Sequence, residues 1–221
     1  MGKASLWTFV LPIGLLALLP LLLRRQAGEL RRTPLVLAVL TSGIAGMVFD
    51  TTLILAFQCL YGYVYEMIGL LVACFMLGLA AGSAATPRLL GRSRGLSLLV
   101  GVEALVLTYS LSVPALLVGL QSLSGQAWMV LPAQLAIFAL NFLCGVLVGA
   151  EFPLANHLYL EGSDRVGQVA GLLYASDLIG AWVGALAASI WLIPVLGVPK
   201  TCLVVAAGKV TSLLLVVARR R

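Results

Sequence analysis

The chain has 221 residues, of which 62% are hydrophobic and only 10% charged, with a mean hydropathy of +1.10. Soluble domains run nearer half apolar and a quarter charged, so this composition excludes a soluble globular fold and makes lipid the solvent. The net charge of +6 comes from basic residues clustered at the ends of apolar runs; that pattern is a topology signal and excludes a nucleic-acid-binding patch.

A membrane span needs about 20 mostly apolar residues, and seven stretches qualify. The first, 6–23, is preceded by Lys3 and followed directly by Arg24 and Arg25, with no small-residue cleavage site, and reads as a retained span and not a signal peptide. The second, 34–60, carries Asp50. The third, 63–86, holds Gly78 and Gly82 four residues apart, a spacing that lets two helix backbones approach closely. The fourth, 96–120, carries Glu103. The fifth, 128–150, leads into a polar stretch from Glu151 to Gln168 that contains Pro153. The sixth, 166–193, carries Asp177 and a small-residue stripe of Gly180 and Gly184 with Ala181, Ala185 and Ala188. The seventh, 200–218, has Lys209 near its middle.

With seven spans, Arg24, Arg25, Arg31, Arg32, Arg88, Arg92, Arg94, Arg165 and Arg219 to Arg221 all fall on one side, leaving Lys3 and Lys200 on the other. The excess of arginine marks the cytoplasmic side, so the amino terminus is expected outside and the carboxyl terminus in the cytoplasm. Trp7, Tyr61, Tyr63, Tyr65, Trp128 and Trp191 map to the outer interface, where amphipathic rings suit the headgroup region. The expected fold is therefore all-α: a polytopic bundle of about seven transmembrane helices, with the lipid bilayer as its first partner.

Cys59, Cys74, Cys144 and Cys202 lie in apolar segments without CxxC spacing, and His157 is the only histidine. That set excludes a haem with two histidine ligands from this chain and argues against a metal centre; no cofactor is expected. There is no Gly-rich phosphate loop and no room for a nucleotide-binding sheet.

Ionisable groups deep in a bilayer cost about 2.5–3.5 kcal/mol on insertion scales, which makes them functional candidates. Asp50, Glu103, Asp177 and Lys209 are deep. Lys209 is about 15 Å along its helix from Arg219, too deep to reach the interface fully, so it should have a buried partner. Asp177 and Asp50, at similar depth, are the expected partners. The bland alternative is an ion pair that only fixes helix register; the surplus of three deep acids over one base points instead to a proton path or a cationic ligand. Gln58, Gln134, Asn141 and Ser176 add polar capacity. Glu66 and Glu151 sit near span ends, where a solvated carboxylate is expected, with a helix break at Pro153 beside the latter.

Two blocks then carry a resemblance. Ser42 to Ser83, SGIAGMVFDTTLILAFQCLYGYVYEMIGLLVACFMLGLAAGS, and Gly149 to Gly197, with GAEFPL, VGQVAGLLYASDLIGAWVGAL and LIPVLG, resemble the membrane domain of bacterial spermidine-synthase-like proteins. In that family a multi-span, major-facilitator-like part precedes a soluble aminopropyltransferase domain. The resemblance implies a six-helix membrane domain over 34–221, after a first helix and Arg-rich cytoplasmic loop over 1–33. It marks Glu151, Phe152, Pro153, Tyr174, Asp177 and Gly180 as family-like positions, while Lys209 belongs to neither block. The family's catalytic part has no counterpart before Arg221, so no catalytic residue is carried over and the chain is expected not to be an enzyme by itself. Gly82 to Arg94, GSAATPRLLGRSR, is similar to a cytoplasmic loop motif of major facilitator transporters, with Thr86 and Pro87 where an acid and a base belong.

The sequence thus points to a non-catalytic membrane module related to polyamine synthases, an anchor or scaffold that also transports or senses a small cation such as a polyamine. Its expected partners are other subunits, a second copy of the chain, or a separately encoded aminopropyltransferase-like protein, and not nucleic acid. Two further readings stay open: the membrane subunit of an electron-transfer complex with cofactors on other chains, and a retinal-type protein using Lys209 for a Schiff base.

Overall fold

A computed structural model describes residues 33–62, 65–90, 95–123, 127–160 and 166–218. All the regular structure there is helical: α1 (Thr33–Tyr61), α2 (Tyr65–Leu90), α3 (Gly95–Leu123), α4 (Val130–Leu160), α5 (Val166–Ala187), a π-helical segment (Ala188–Leu196) and α6 (Gly197–Ala218). The span expected over 6–23, and with it Lys3, Trp7 and Arg24 to Arg32, lies outside the described residues.

Five helical runs are long and apolar enough to cross a membrane, the last being the continuous stretch Val166–Ala218. That stretch contains a reversal. Asp177 of α5 packs on Gly43 of α1, and Lys209 of α6 bonds to the adjacent Ser42. Thirty-two residues of straight helix would put those two about 48 Å apart, so the chain folds back between them. The turn is at Gly197, whose φ of 76° and ψ of 169° are open to glycine and strained for other residues. Pro194, which cannot donate to the ladder, lies in the widened π-helical turns just before it.

Contacts fix the helix directions. Asp50 meets Asn141 and Gly46 meets Val148, so α1 and α4 are antiparallel. Phe75 and Leu79 of α2 lie against Gly145 and Gly149 of α4, and Gly78 and Gly82 against Phe142 and Val146, in ascending order, so these two helices are parallel. Tyr109 of α3 bonds to the Leu140 carbonyl while Glu103 lies at the level of Glu151, which makes α3 antiparallel to α4. Gly180 and Gly184 of α5 climb past Leu40 and Ile44 of α1, and Val216 of α6 packs in the cluster around Leu35 while Cys202 and Val205 join the one around Phe49 and Leu53. Successive helices therefore alternate, and Thr33, Leu90, Gly95, Leu160, Val166 and Ala218 share one end of the bundle. Arg88 lies in the last turn of α2, at that end, and Tyr61, Tyr65, Trp128 and Trp191 lie toward the opposite one; Tyr63, Arg92, Arg94, Arg165 and Arg219 to Arg221 lie outside the described residues.

Two helix pairs are held by backbone contact. A Cβ at Gly78 would run into the Phe142 carbonyl, one at Gly82 into Val146, one at Gly145 into the Phe75 carbonyl and one at Gly149 into Leu79. Gly43, Gly180 and Gly184 do the same for α1 and α5. Helices solvated by lipid have no hydrophobic drive to associate, and close backbone packing of this kind is what supplies cohesion in that setting. The exterior is apolar: Leu77, Val118, Leu131, Leu203 and Leu214 are all exposed, as a surface facing hydrocarbon requires.

Candidate functional site

The two apolar cores are separated by a polar layer. One core gathers around Phe49, Phe57, Phe75 and Ile137, the other around Leu35, Leu99, Leu154 and Leu173. Between them, Lys209 reaches from α6 into a nest built by three other helices. Its Nζ donates to Ser42 Oγ of α1 at 2.6 Å and to both oxygens of Glu151 of α4 at 3.0 and 3.1 Å. Glu103 Oε2 of α3 lies 3.2 Å from the same nitrogen, and Ser212 donates to Glu103 Oε1 at 2.8 Å. Ser42 passes its own hydrogen to the Ala38 carbonyl at 2.8 Å, leaving its oxygen free to accept from the ammonium. Side-chain exposure is 1% for Lys209, 1% for Glu151 and 0% for Glu103, so water does not screen the triad.

This corrects two expectations. Glu151 is not a solvated carboxylate at a helix end. α4 continues through Pro153 for nine residues beyond Glu151, to Leu160, and the Glu151 side chain is buried inside the bundle. Proline removes only the bond to the Gly149 carbonyl, and the packing of α4 against α1, α2 and α3 holds the helix together. Nor is Lys209 paired with an aspartate: among the described residues neither Asp50 nor Asp177 lies within ion-pair distance of it. Asp177, partly buried, faces Gly43 from the α5 side, its Oδ1 close to where a Cβ would stand. Asp50 accepts a hydrogen bond from Asn141 at 2.8 Å in a second polar layer, toward the aromatic end.

The structure thus brings Glu103, Lys209 and Glu151 together and keeps Asp50 and Asp177 apart. Of the family-like positions, Phe152 and Tyr174 form an edge-to-face pair at 6.4 Å, and Gly180 lies in the α1–α5 contact. Glu66 is exposed in the first turn of α2. Sequence reading missed Ser42 and Ser212. The signal was available only for Ser212, three residues after Lys209 and so on the same helix face.

Charge decides what the triad can do. Two carboxylates share one ammonium in an apolar interior, leaving a formal surplus of one negative charge that a further proton or cation would neutralise. Among the described residues no group of three His, Cys, Asp or Glu side chains is placed to hold a metal ion.

No protein-family model and no solved structure gives a significant match. Among curated proteins, polyamine aminopropyltransferases of Mycobacterium tuberculosis and Mycobacterium bovis are 31% identical over 211 aligned residues, covering 86% of this chain. Polyamine aminopropyltransferase 2 of Streptomyces coelicolor is 31% identical over 167 residues and 74% of the chain. The chain spans 39% of the length of the mycobacterial relatives and 30% of the Streptomyces one. These relatives overturn the expectation that the chain is not an enzyme, since each carries the name of an aminopropyl-transferring enzyme. The chain is similar to a part of polyamine aminopropyltransferases, over most of its own length.

Proposed function

We propose that the chain is the membrane-embedded part of an aminopropyltransferase-type protein, holding that activity at a bacterial cytoplasmic membrane with the arginine-rich end inside, and that its buried acidic triad receives a small organic cation of the polyamine class. Two facts support the reading together. The similarity to polyamine aminopropyltransferases runs through 86% of a chain whose described part is almost wholly apolar helix. The centre of that bundle holds Glu103 and Glu151 against Lys209 alone. An alkylammonium group resembles the lysine head already seated there, and a second one would balance the charge. Because the triad is closed off by both apolar cores, an amine reaches it only when the helices around it part, so binding and conformational change are linked in this reading.

The test is equilibrium binding of labelled spermidine and putrescine to the purified full chain in nanodiscs, alongside an aminopropyl-transfer assay on native membranes that contain the chain. The expected result is saturable binding, weakened about tenfold or more in Glu103→Gln, the loss of one charged contact being worth about 1.4 kcal/mol or more. Absence of polyamine binding in the wild-type chain removes the cation part of the reading. Membranes overproducing the chain with no associated aminopropyl transfer remove the rest.

A further inference from the structure

Asp50 and Asn141 form a second polar layer, eight residues and about 12 Å along α1 from Ser42. Asn141 donates one amide hydrogen to Asp50 Oδ1 at 2.8 Å and another bond to the Leu71 carbonyl of α2 at 3.0 Å. Both acceptors fix which end of the amide carries oxygen, because a flipped side chain would turn that oxygen against two others. Asn141 Oδ1 is then left buried with no hydrogen-bond partner. Asp50 is 4% exposed, and no cation lies within ion-pair distance of it among the described residues. An uncompensated carboxylate and an acceptor without a donor therefore sit side by side, and each is costly in an apolar interior.

The groups packed around the pair do not relieve it. Tyr109 of α3, close to Asp50, gives its hydroxyl hydrogen to the Leu140 carbonyl at 3.0 Å. Cys144 of α4 and Cys202 of α6 are the titratable groups beside Tyr109, and the ammonium of Lys209 is committed to Ser42, Glu151 and Glu103. The π-helical segment presents apolar Ala188 and Leu192. Two side-chain oxygens and a carbonyl already in use are too few for a metal cation that takes about six oxygen ligands.

One proton resolves both defects. Placed on Asp50 Oδ2, it makes a hydroxyl that donates to Asn141 Oδ1 while the amide continues to donate to Asp50 Oδ1. The result is a closed acid–amide pair with opposed hydrogen bonds and no net charge. We infer that Asp50 and Asn141 form a proton-binding site within the bundle, with the proton on the Asp50 carboxyl. This does not depend on the polyamine reading: the site exists whether or not the triad takes an amine, and gives the bundle a proton to exchange.

Infrared spectroscopy of the full chain in nanodiscs tests it at neutral pH. The expected result is a protonated-carboxylic C=O band that shifts when the aspartates carry carbon-13 in the carboxyl, survives Glu103→Gln, Glu151→Gln and Asp177→Asn, and is lost in Asp50→Asn. Asn141→Leu should move the band to higher frequency by removing its partner. A spectrum without such a band overturns the inference. So does a band unmoved by aspartate labelling, which would put the proton on the glutamates, or one lost in Asp177→Asn. The isotope arm uses the wild-type chain, so a variant that fails to fold does not rescue the idea.

Discussion

Replacing Lys209 by methionine removes the one positive charge from a cluster that has almost no access to water. Methionine keeps the unbranched apolar stem and lacks only the terminal ammonium, so packing changes little and the loss is mainly electrostatic. The bonds to Ser42 and to both Glu151 oxygens vanish, together with the 3.2 Å contact to Glu103. Removing one partner of a buried ion pair costs about 3–5 kcal/mol, and here both Glu103 and Glu151 are left to be neutralised or hydrated. Adding Glu151→Gln to Lys209→Met removes one of the two orphaned charges and leaves Glu103, so the double variant should be more stable than Lys209→Met alone, with a coupling of about 2 kcal/mol. The assay is reversible unfolding of the refolded chain in mixed micelles by rising SDS fraction, followed by helical circular dichroism. A loss for Lys209→Met within about 0.5 kcal/mol of zero, the range of inert surface changes, refutes the triad as a working ion pair. Strict additivity of the two substitutions does so as well.

Ser42→Ala deletes a hydrogen bond to a charged group and should cost about 1.5–3 kcal/mol in the same titration, well above the effect of alanine at the exposed Ser122. Gly82→Val and Gly149→Val drive a branched side chain into the α2–α4 contact and should each destabilise by about 1–3 kcal/mol. Gly101→Ala, where an added Cβ meets nothing within 4 Å, should stay within about 1 kcal/mol of the wild type. Single cysteines placed at Leu90 and Ala218 in a cysteine-free background should react with an impermeant thiol reagent from the same membrane face, and ones at Tyr65 and Trp128 from the other. Mixed accessibility would break the alternating topology.

The span pattern is legible from composition because hydrocarbon admits only helices of a certain length, and the six segments after residue 33 fall within a few residues of the observed helices over most of their extent. The exceptions share a cause. Hydropathy ends the fifth span at Ala150, on the polarity of Glu151 and the presence of Pro153, yet α4 runs to Leu160, because neighbouring helices supply partners that a local reading leaves out. The π-helical turns before Gly197 likewise have no clear sequence signature.

Hydropathy orders residues by depth, and depth alone selects Asp50, Glu103, Asp177 and Lys209. What it cannot give is rotation about the helix axis or the choice of neighbour. Asp177 and Lys209 meet α1 at neighbouring residues, but they approach from different helices, one against Gly43 and the other at Ser42. Only the assembled bundle turns Glu151 and Glu103 toward the ammonium and leaves Asp50 to Asn141, since ion pairing is decided within about 4 Å, across helices whose order around the axis is set by where glycines let backbones touch.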